Sequence, residues 1–490
     1  MADEAYETSG YAAIKEKFGF NQTELELIGT ALTAGGLFAI IPGLLYDRLA
    51  NCHKLGPRLV AGTGVVLHAA GYLGLWAAVQ GFITVSYSVL LLFGLVAASA
   101  VVWFDAGAVV TCMRNFPSER GTVAGVLKTF LGLSASVMTT IYMGAFEPDG
   151  PAFLLFVGLL PAALAAVMIP FLNFVPFEEA SVRSCFTSGR RYAAYYSIAG
   201  LLVAYQVAGG LAGQAASLDH RDRFGIMCGA LLLLAAVALL PLGAGGLVSR
   251  PAPGSGWNAE GPGAAEAGAC VRDTRFWLLW STFFTGMGAG FCFLNNLAQM
   301  VEALGGAGSE RALCVLLFTS ANTVGRMAAG SMTERLLHHY GVPRTVFMPP
   351  LAALTAVSSV ITAVAGHAAL QPTSLLAGFA FGCHWSLMPV LTSELFGLRH
   401  MASNQSVIHL APTLGNLVLA TYLAGGLYQR HGRLHGDPPG TCFGQGCYRA
   451  TFLAIAGLAT AQVAASTVLY LRTRGLYRAE FAALQRAAMH

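Results

Sequence analysis

Lys128 stands in an otherwise uncharged stretch, eight residues beyond Arg120 and so about 12 Å into a helix at 1.5 Å per residue. A lysine at a bilayer centre costs about 2.5–3.5 kcal/mol on insertion scales, so it needs a wet cavity or a partner. Two readings compete. Lys128 supplies positive charge to a solute cavity, or it snorkels to the near surface or pairs with a structural acid such as Asp105. Asp105, Asn295, Asn296, Gln299, His384 and Trp385 lie in other apolar stretches and complete the candidate cavity set. His384 could take substrate or protons, with helix packing as the alternative. Amides in membrane helices also bond neighbouring helices, which is the competing reading of the asparagines and of Gln299. Asn404, Gln405, His409 and Asn416 form a second polar group further along. This is chemistry for binding a small solute, with no covalent step. There is no Walker sequence, triad arrangement or metal-ligand spacing, and Gly286-Met-Gly288-Ala-Gly290 sits in an apolar helix with no strand before it. We expect no enzyme, no catalytic residue, no metal, no cofactor and no nucleic-acid partner; driving energy would come from an ion or solute gradient.

The elements that must position these residues are membrane helices. Apolar residues make up 55% of the 490 and charged residues 11%, outside the soluble globular range. Runs of roughly 20 apolar residues, long enough to span a bilayer, recur along the chain. We place them at 24–46, 57–80, 83–108, 119–143, 151–175, 193–215, 224–247, 274–301, 312–332, 344–366, 371–393, 403–427 and 449–471. The fold class is therefore an all-α polytopic membrane protein, and the lipid bilayer is its first partner.

Two turns repeat each other. Gly43-Leu-Leu-Tyr-Asp47-Arg48 closes one span, and Gly330-Ser-Met-Thr-Glu334-Arg335 closes another, each followed by a short basic loop. Matching acid-arginine turns in two halves mark a duplicated helical transporter. The glycine allows close helix approach, and the acid and arginine can cap a neighbouring helix end or pair across the gap. Most of the 28 basic residues fall on the side of these turns, which makes that side cytosolic and places the C-terminus there.

Local motifs carry a resemblance. Arg114-Asn115-Phe116-Pro117-Ser118-Glu119-Arg120-Gly121-Thr122-Val123, the run on through Lys128 to Ser134, and Leu44-Leu45-Tyr46-Asp47-Arg48 resemble the nodulin-like branch of the major facilitator superfamily, which is similar to oxalate/formate antiporters. Asn295-Asn296-Leu297-Ala298-Gln299, Ser393-Glu394-Leu395-Phe396-Gly397-Leu398-Arg399-His400 and Cys442-Phe-Gly-Gln-Gly-Cys447-Tyr448 fit too. The resemblance covers about residues 11 to 472. It implies two six-helix bundles with the fourth, seventh and tenth helices lining the cavity, which favours Asp105, Asn295 and His384. It also implies a further helix ahead of Lys15–Gln22, so the first family helix is missing here and we expect a truncated gene model or fragment rather than a thirteen-span protein. Gly43, Asp47, Arg48, Arg114, Glu119, Arg120, Gly330, Glu334, Arg335, Glu394 and Arg399 read as gating and structural residues. Ala50-Asn-Cys-His-Lys-Leu55 lengthens the first turn relative to the family.

The expected organisation is an extracytosolic segment at 1–23, an N-terminal bundle of five visible helices at 24–175, a cytosolic loop at 176–192 and an inserted helix pair at 193–247. A flexible cytosolic linker follows at 248–273, rich in glycine and proline, then a six-helix bundle at 274–472 and a cytosolic tail at 473–490. The inserted pair should sit peripherally. Of the ten cysteines, Cys442 and Cys447 share one polar loop, placed outside, and are a disulfide candidate. The function expected is secondary-active transport of a small polar or anionic solute by alternating access, with a coupling ion as a further partner. The rival is a non-transporting sensor or scaffold. Substrate, oligomeric state, and plasma versus organelle membrane are left open by the sequence.

Overall fold

Backbone polar groups find no water in a bilayer, so apolar stretches of this length must satisfy themselves as helices. The computed structural model describes residues 18, 31, 34–49, 55–117, 119–173, 188–215, 218–239, 270–436, 438 and 441–488. The segment 1–23 (bar Phe18), most of the loop 176–192, the linker up to residue 269 and positions 50–54 of the lengthened turn lie outside them.

A 3-10 turn at Ala34–Phe38 leads into α1 (Ile40–Arg48), followed by α2 (Leu55–Gln80), α3 (Tyr87–Asn115), α4 (Arg120–Phe146) and α5 (Gly150–Phe171). The pair α6 (Ser188–Ala215) and α7 (His220–Leu239) comes next. The second half holds α8 (Thr274–Ala303), α9 (Gly308–Tyr340), α10 (Arg344–Val364), α11 (His367–Phe396), α12 (Met401–His435) and α13 (Gly446–Ala488). Among the described residues, eleven helices are long and apolar enough to cross a membrane; α1 and α7 are the two outside that set. The chain is an integral, multi-pass membrane protein.

Several boundaries move. The span expected at 312–332 runs from Gly308 to Tyr340, where Gly341 at φ +64° ends it in a left-handed cap. The span expected at 224–247 begins four residues early, at His220. The tail expected after 472 continues the last helix to Ala488.

The halves meet along two seams, α4 against α9 and α1 against α12. The inserted pair lies beside the first seam. Its polar contacts go to the N-terminal half. The Tyr196 hydroxyl donates to the Thr122 carbonyl at 3.1 Å, Thr140 bonds Gln206 at 2.8 Å, and Arg223 pairs with Glu147. Against α9 it sets Met327 near Gly200, Leu316 near Gly210 and the Tyr196 hydroxyl near Gly330.

Candidate functional site

Asp105 opens a π-helical turn, Asp105–Val109, inside α3. Such turns widen the helix and recur at functional sites. Its carboxylate receives the Lys128 ammonium from α4 at 2.6 and 2.8 Å, with Lys128 only 1% exposed. From the other half, His409 of α12 brings Nε2 to 2.9 Å from the Asp105 Oδ2 atom. Arg326 of α9 arrives beside them, 1% exposed, donating to the Lys128 carbonyl at 2.7 Å and to the Asn322 side chain at 2.9 Å. Gly132, one turn beyond Lys128, leaves the space its side chain fills: a Cβ there would stand 3.1 Å from the Arg326 Cδ and Nε atoms. Trp385 of α11 offers its ring to both cations, with Lys128 Nζ and Arg326 Cζ each 5.5 Å from the centroid. Its ring lies 6.2 Å from that of His409.

Five helices from two halves thus deliver two fixed cations, one carboxylate, one imidazole and one indole to a single buried point. Lys128 pairs with Asp105, the acid named as its structural partner, and also faces the opposite half. Arg326 is not among the sequence candidates, because the span expected at 312–332 puts it near a helix end. The helix runs two turns further, and those turns carry Arg326 into the membrane. The available signal was the same as for Lys128, a charge inside an apolar run.

His384 does not join this centre. It turns toward α8, where Gly286 makes room for its imidazole, and its Nδ1 atom contacts the Ala380 carbonyl at 2.7 Å. Asn295, Asn296 and Gln299 lie further along α8 and tie it to α12 and α13. Asn295 donates to Asn416 at 3.0 Å, Asn296 to the Cys292 carbonyl at 2.9 Å, and the Tyr448 hydroxyl to Gln299 at 3.1 Å. Of these, Asn295 is exposed. Beyond them a disulfide joins Cys442 and Cys447, with Cα atoms 5.9 Å apart, and the Gly444 amide fastens the loop to the Ala303 carbonyl at 2.7 Å.

At the basic end, the two acid-arginine turns act crosswise. Asp47 of the first half accepts from the amide of Ser403, the third residue of α12, at 2.8 Å. Glu334 of the second half accepts from the amide of Thr122, the third residue of α4, at 3.0 Å. Each carboxylate sits at the positive end of a helix in the opposite half. The glycines match as well: a Cβ on Gly43 would lie 2.6 Å from the Ala402 carbonyl, and one on Gly330 would lie 2.5 Å from the Gly125 Cα. Arg48 and Arg335 are exposed, so the acids, not the arginines beside them, make these contacts. Arg344, which the sequence reading did not select, lies buried between Glu334 and Glu394 at 2.9 Å from each, and the Tyr477 hydroxyl donates to Glu394 at 2.6 Å. Arg120 reaches the Ser393 carbonyl at 3.3 Å across the halves, and Arg114 lies over the Tyr46 ring. Glu119 takes the Tyr192 hydroxyl of α6, while Arg399 is exposed.

Residues 4–242 match the model of the nodulin-like family, and residues 265–479 match that of the NFD4 C-terminal domain. The chain belongs to the nodulin-like family of the major facilitator superfamily. This nodulin-like chain is similar to the protein NUCLEAR FUSION DEFECTIVE 4 of Arabidopsis thaliana, 23% identical over 96% of this chain and 86% of that one. It is also similar to the probable transporter MCH1 of Gibberella zeae, 25% identical over 39% of each chain. Among solved structures, the proton:xylose symporter XylE aligns with a TM-score of 0.57 and 11% identity, over 94% of this chain and 90% of that one. The human organic anion transporter MFSD10 aligns at 0.51 and 14%, over 93% and 88%. The fold is that of the major facilitator transporters.

Proposed function

We propose that this nodulin-like protein is a secondary-active transporter that moves a small anionic solute by alternating access between its two halves. The observation that carries this reading is the charge at the seam. Lys128 and Arg326 are buried cations from opposite halves, and among the described residues Asp105 is the acid set against them, which leaves one positive charge uncompensated when His409 is neutral. A buried unpaired charge is costly, and an anion bound between the halves offsets it. Asp105 holds the ammonium in place, Trp385 walls the seat, and an anion touching both cations bonds one half to the other. The crosswise caps at the basic end favour a form shut on that side, which we take as cytosolic from the basic loops. Asn295 and Asn416 then line the way from the far side.

Purified full-length protein in sealed liposomes tests this with a panel of radiolabelled acetate, pyruvate, oxalate and malate. Counterflow of at least one member is expected, lost in Lys128→Ala and weakened in Lys128→Arg, whose planar fork does not reproduce a compact ammonium. Counterflow by Lys128→Ala equal to the wild type would return the lysine to structure, and failure across the panel would remove the anionic reading.

A further inference from the structure

His409 is the one member of the charged centre that the anion seat does not use. It is 7% exposed, and its Nε2 atom approaches the same Asp105 oxygen that Lys128 holds at 2.6 Å. Asp105 is therefore shared between a fixed cation of its own half and an imidazole of the other. Histidine is the side chain whose ordinary titration lies nearest neutral pH. We propose that His409 is a proton-binding site, and that the proton it takes is the coupling ion for the anion; this rests on the anion reading above.

The surroundings decide what the proton does. From α3, His409 faces Asp105; from α4 and α9, it shares that carboxylate's neighbourhood with Lys128 and Arg326. From α11 it meets Trp385, while His384 is turned away to α8 and Glu394 bonds Arg344 at the basic end. On α1, Tyr46 bonds Thr111 and Asp47 caps the start of α12. On α8, Arg275 and Glu302 stand near the two ends and Cys292 between them; Tyr448 of α13 bonds the amides of α8, and the 3-10 turn Ala34–Phe38 carries no titratable group. Asp105 is thus the acid set against the imidazole. Protonation adds a second uncompensated positive charge to the centre, so proton and anion each raise the other's affinity by the same factor. A proton enters from the aqueous phase to which the seat is open, forms the imidazolium, and leaves to the other phase with the anion; no electron moves. The net process is symport of one proton with each anion.

The adjacent indole reports the event directly, because an imidazolium 6.2 Å away quenches it. In the full-length protein, tryptophan emission should fall as pH is lowered and the imidazole takes its proton. Both His409→Gln and Trp385→Phe should lose that fall. In liposomes with the same four carboxylates, an inside-alkaline gradient should drive accumulation by the wild type and none by H409Q, whose exchange should become flat with pH. Gradient-driven accumulation by H409Q, or an unchanged emission titration in it, would overturn the proton site and leave the anion seat standing. Should H409Q fail to fold, a wild type whose emission lacks the Trp385-dependent fall overturns it equally. If no carboxylate moves, the emission titration still decides the proton site on its own.

Discussion

Asp47 and Glu334 cap opposite helices at the same offset, yet the ground beneath them differs. Glu334 is held by Arg344 at 2.9 Å and by His338 at 3.1 Å, and through Arg344 it is joined to Glu394 and Tyr477. Asp47 has the Ser403 amide, with Arg114 and His400 nearby. The glycines differ in parallel. Gly43 faces the Ser406 side chain, whereas Gly330 faces Gly125, so one seam closes on a hydroxyl and the other closes backbone to backbone. One duplicated turn has become a simple cap on one seam and the hub of a buried ionic network on the other. The network ties α9, α10, α11 and α13 into a unit at the basic end, and only then reaches across to α4.

The largest expected effect breaks that network. Glu334→Ala removes the α4 cap and leaves Arg344, 1% exposed, with one carboxylate fewer; losing a partner from a buried pair costs about 3–5 kcal/mol. Asp47→Ala should cost about 0.5–2 kcal/mol, the range for a lost helix cap. Thermal unfolding in detergent compares the two, and equal losses would mean that the extra partners of Glu334 add nothing.

The glycines give the next effect. Gly330→Ala should destabilise by about 1–3 kcal/mol, because its methyl meets backbone that cannot move aside. Gly43→Ala should be relieved in part by Ser406→Ala, since the hydroxyl is one of the two obstacles; the Ala402 carbonyl at 2.6 Å is the other. No relief in the double variant would assign the whole clash to that carbonyl.

The smallest effect concerns the inserted pair. Tyr196 places its hydroxyl over the Gly125–Gly330 crossing and donates to Thr122, whose amide Glu334 caps. Tyr196→Phe should cost about 0.5–1.5 kcal/mol, one hydrogen bond. In combination with Glu334→Ala the loss should be less than additive, because both act on the first turn of α4; additivity to within a few tenths of a kcal/mol would separate Tyr196 from this seam.

Much of this was legible in the residues themselves. Helices announce themselves by apolar length, and the repeated turns expose the duplication because both keep glycine, acid and spacing. Lys128 and Asp105 stand out since charge is rare in such runs. What stayed hidden was partnership across halves. Nothing in one helix says that Asp47 seeks Ser403 or Glu334 seeks Thr122, since the offset of three residues exists only once two helices cross. Arg326 and Arg344 were masked for a different reason. An arginine near a span end reads as a flanking charge, and an error of two turns in the end of α9 decides whether Arg326 is interfacial or central. His384 adjoins Trp385 in sequence, yet neighbours on a helix point about 100° apart and these two face different helices.

The inserted pair grips one half with polar bonds and touches the other with the Tyr196 hydroxyl at Gly330 and, further along α6, with Met327, Leu316 and the two glycines opposite them. Hydrogen bonds are directional and break when their donors slide; a flexible thioether re-seats at little cost. In mechanical terms α6 and α7 are bolted to the N-terminal half, and this stretch of α6 rests on α9 as on a greased bearing. A rocking motion would carry the pair as ballast with the first half, and friction along this seam would be set by apolar side-chain size at positions 316 and 327.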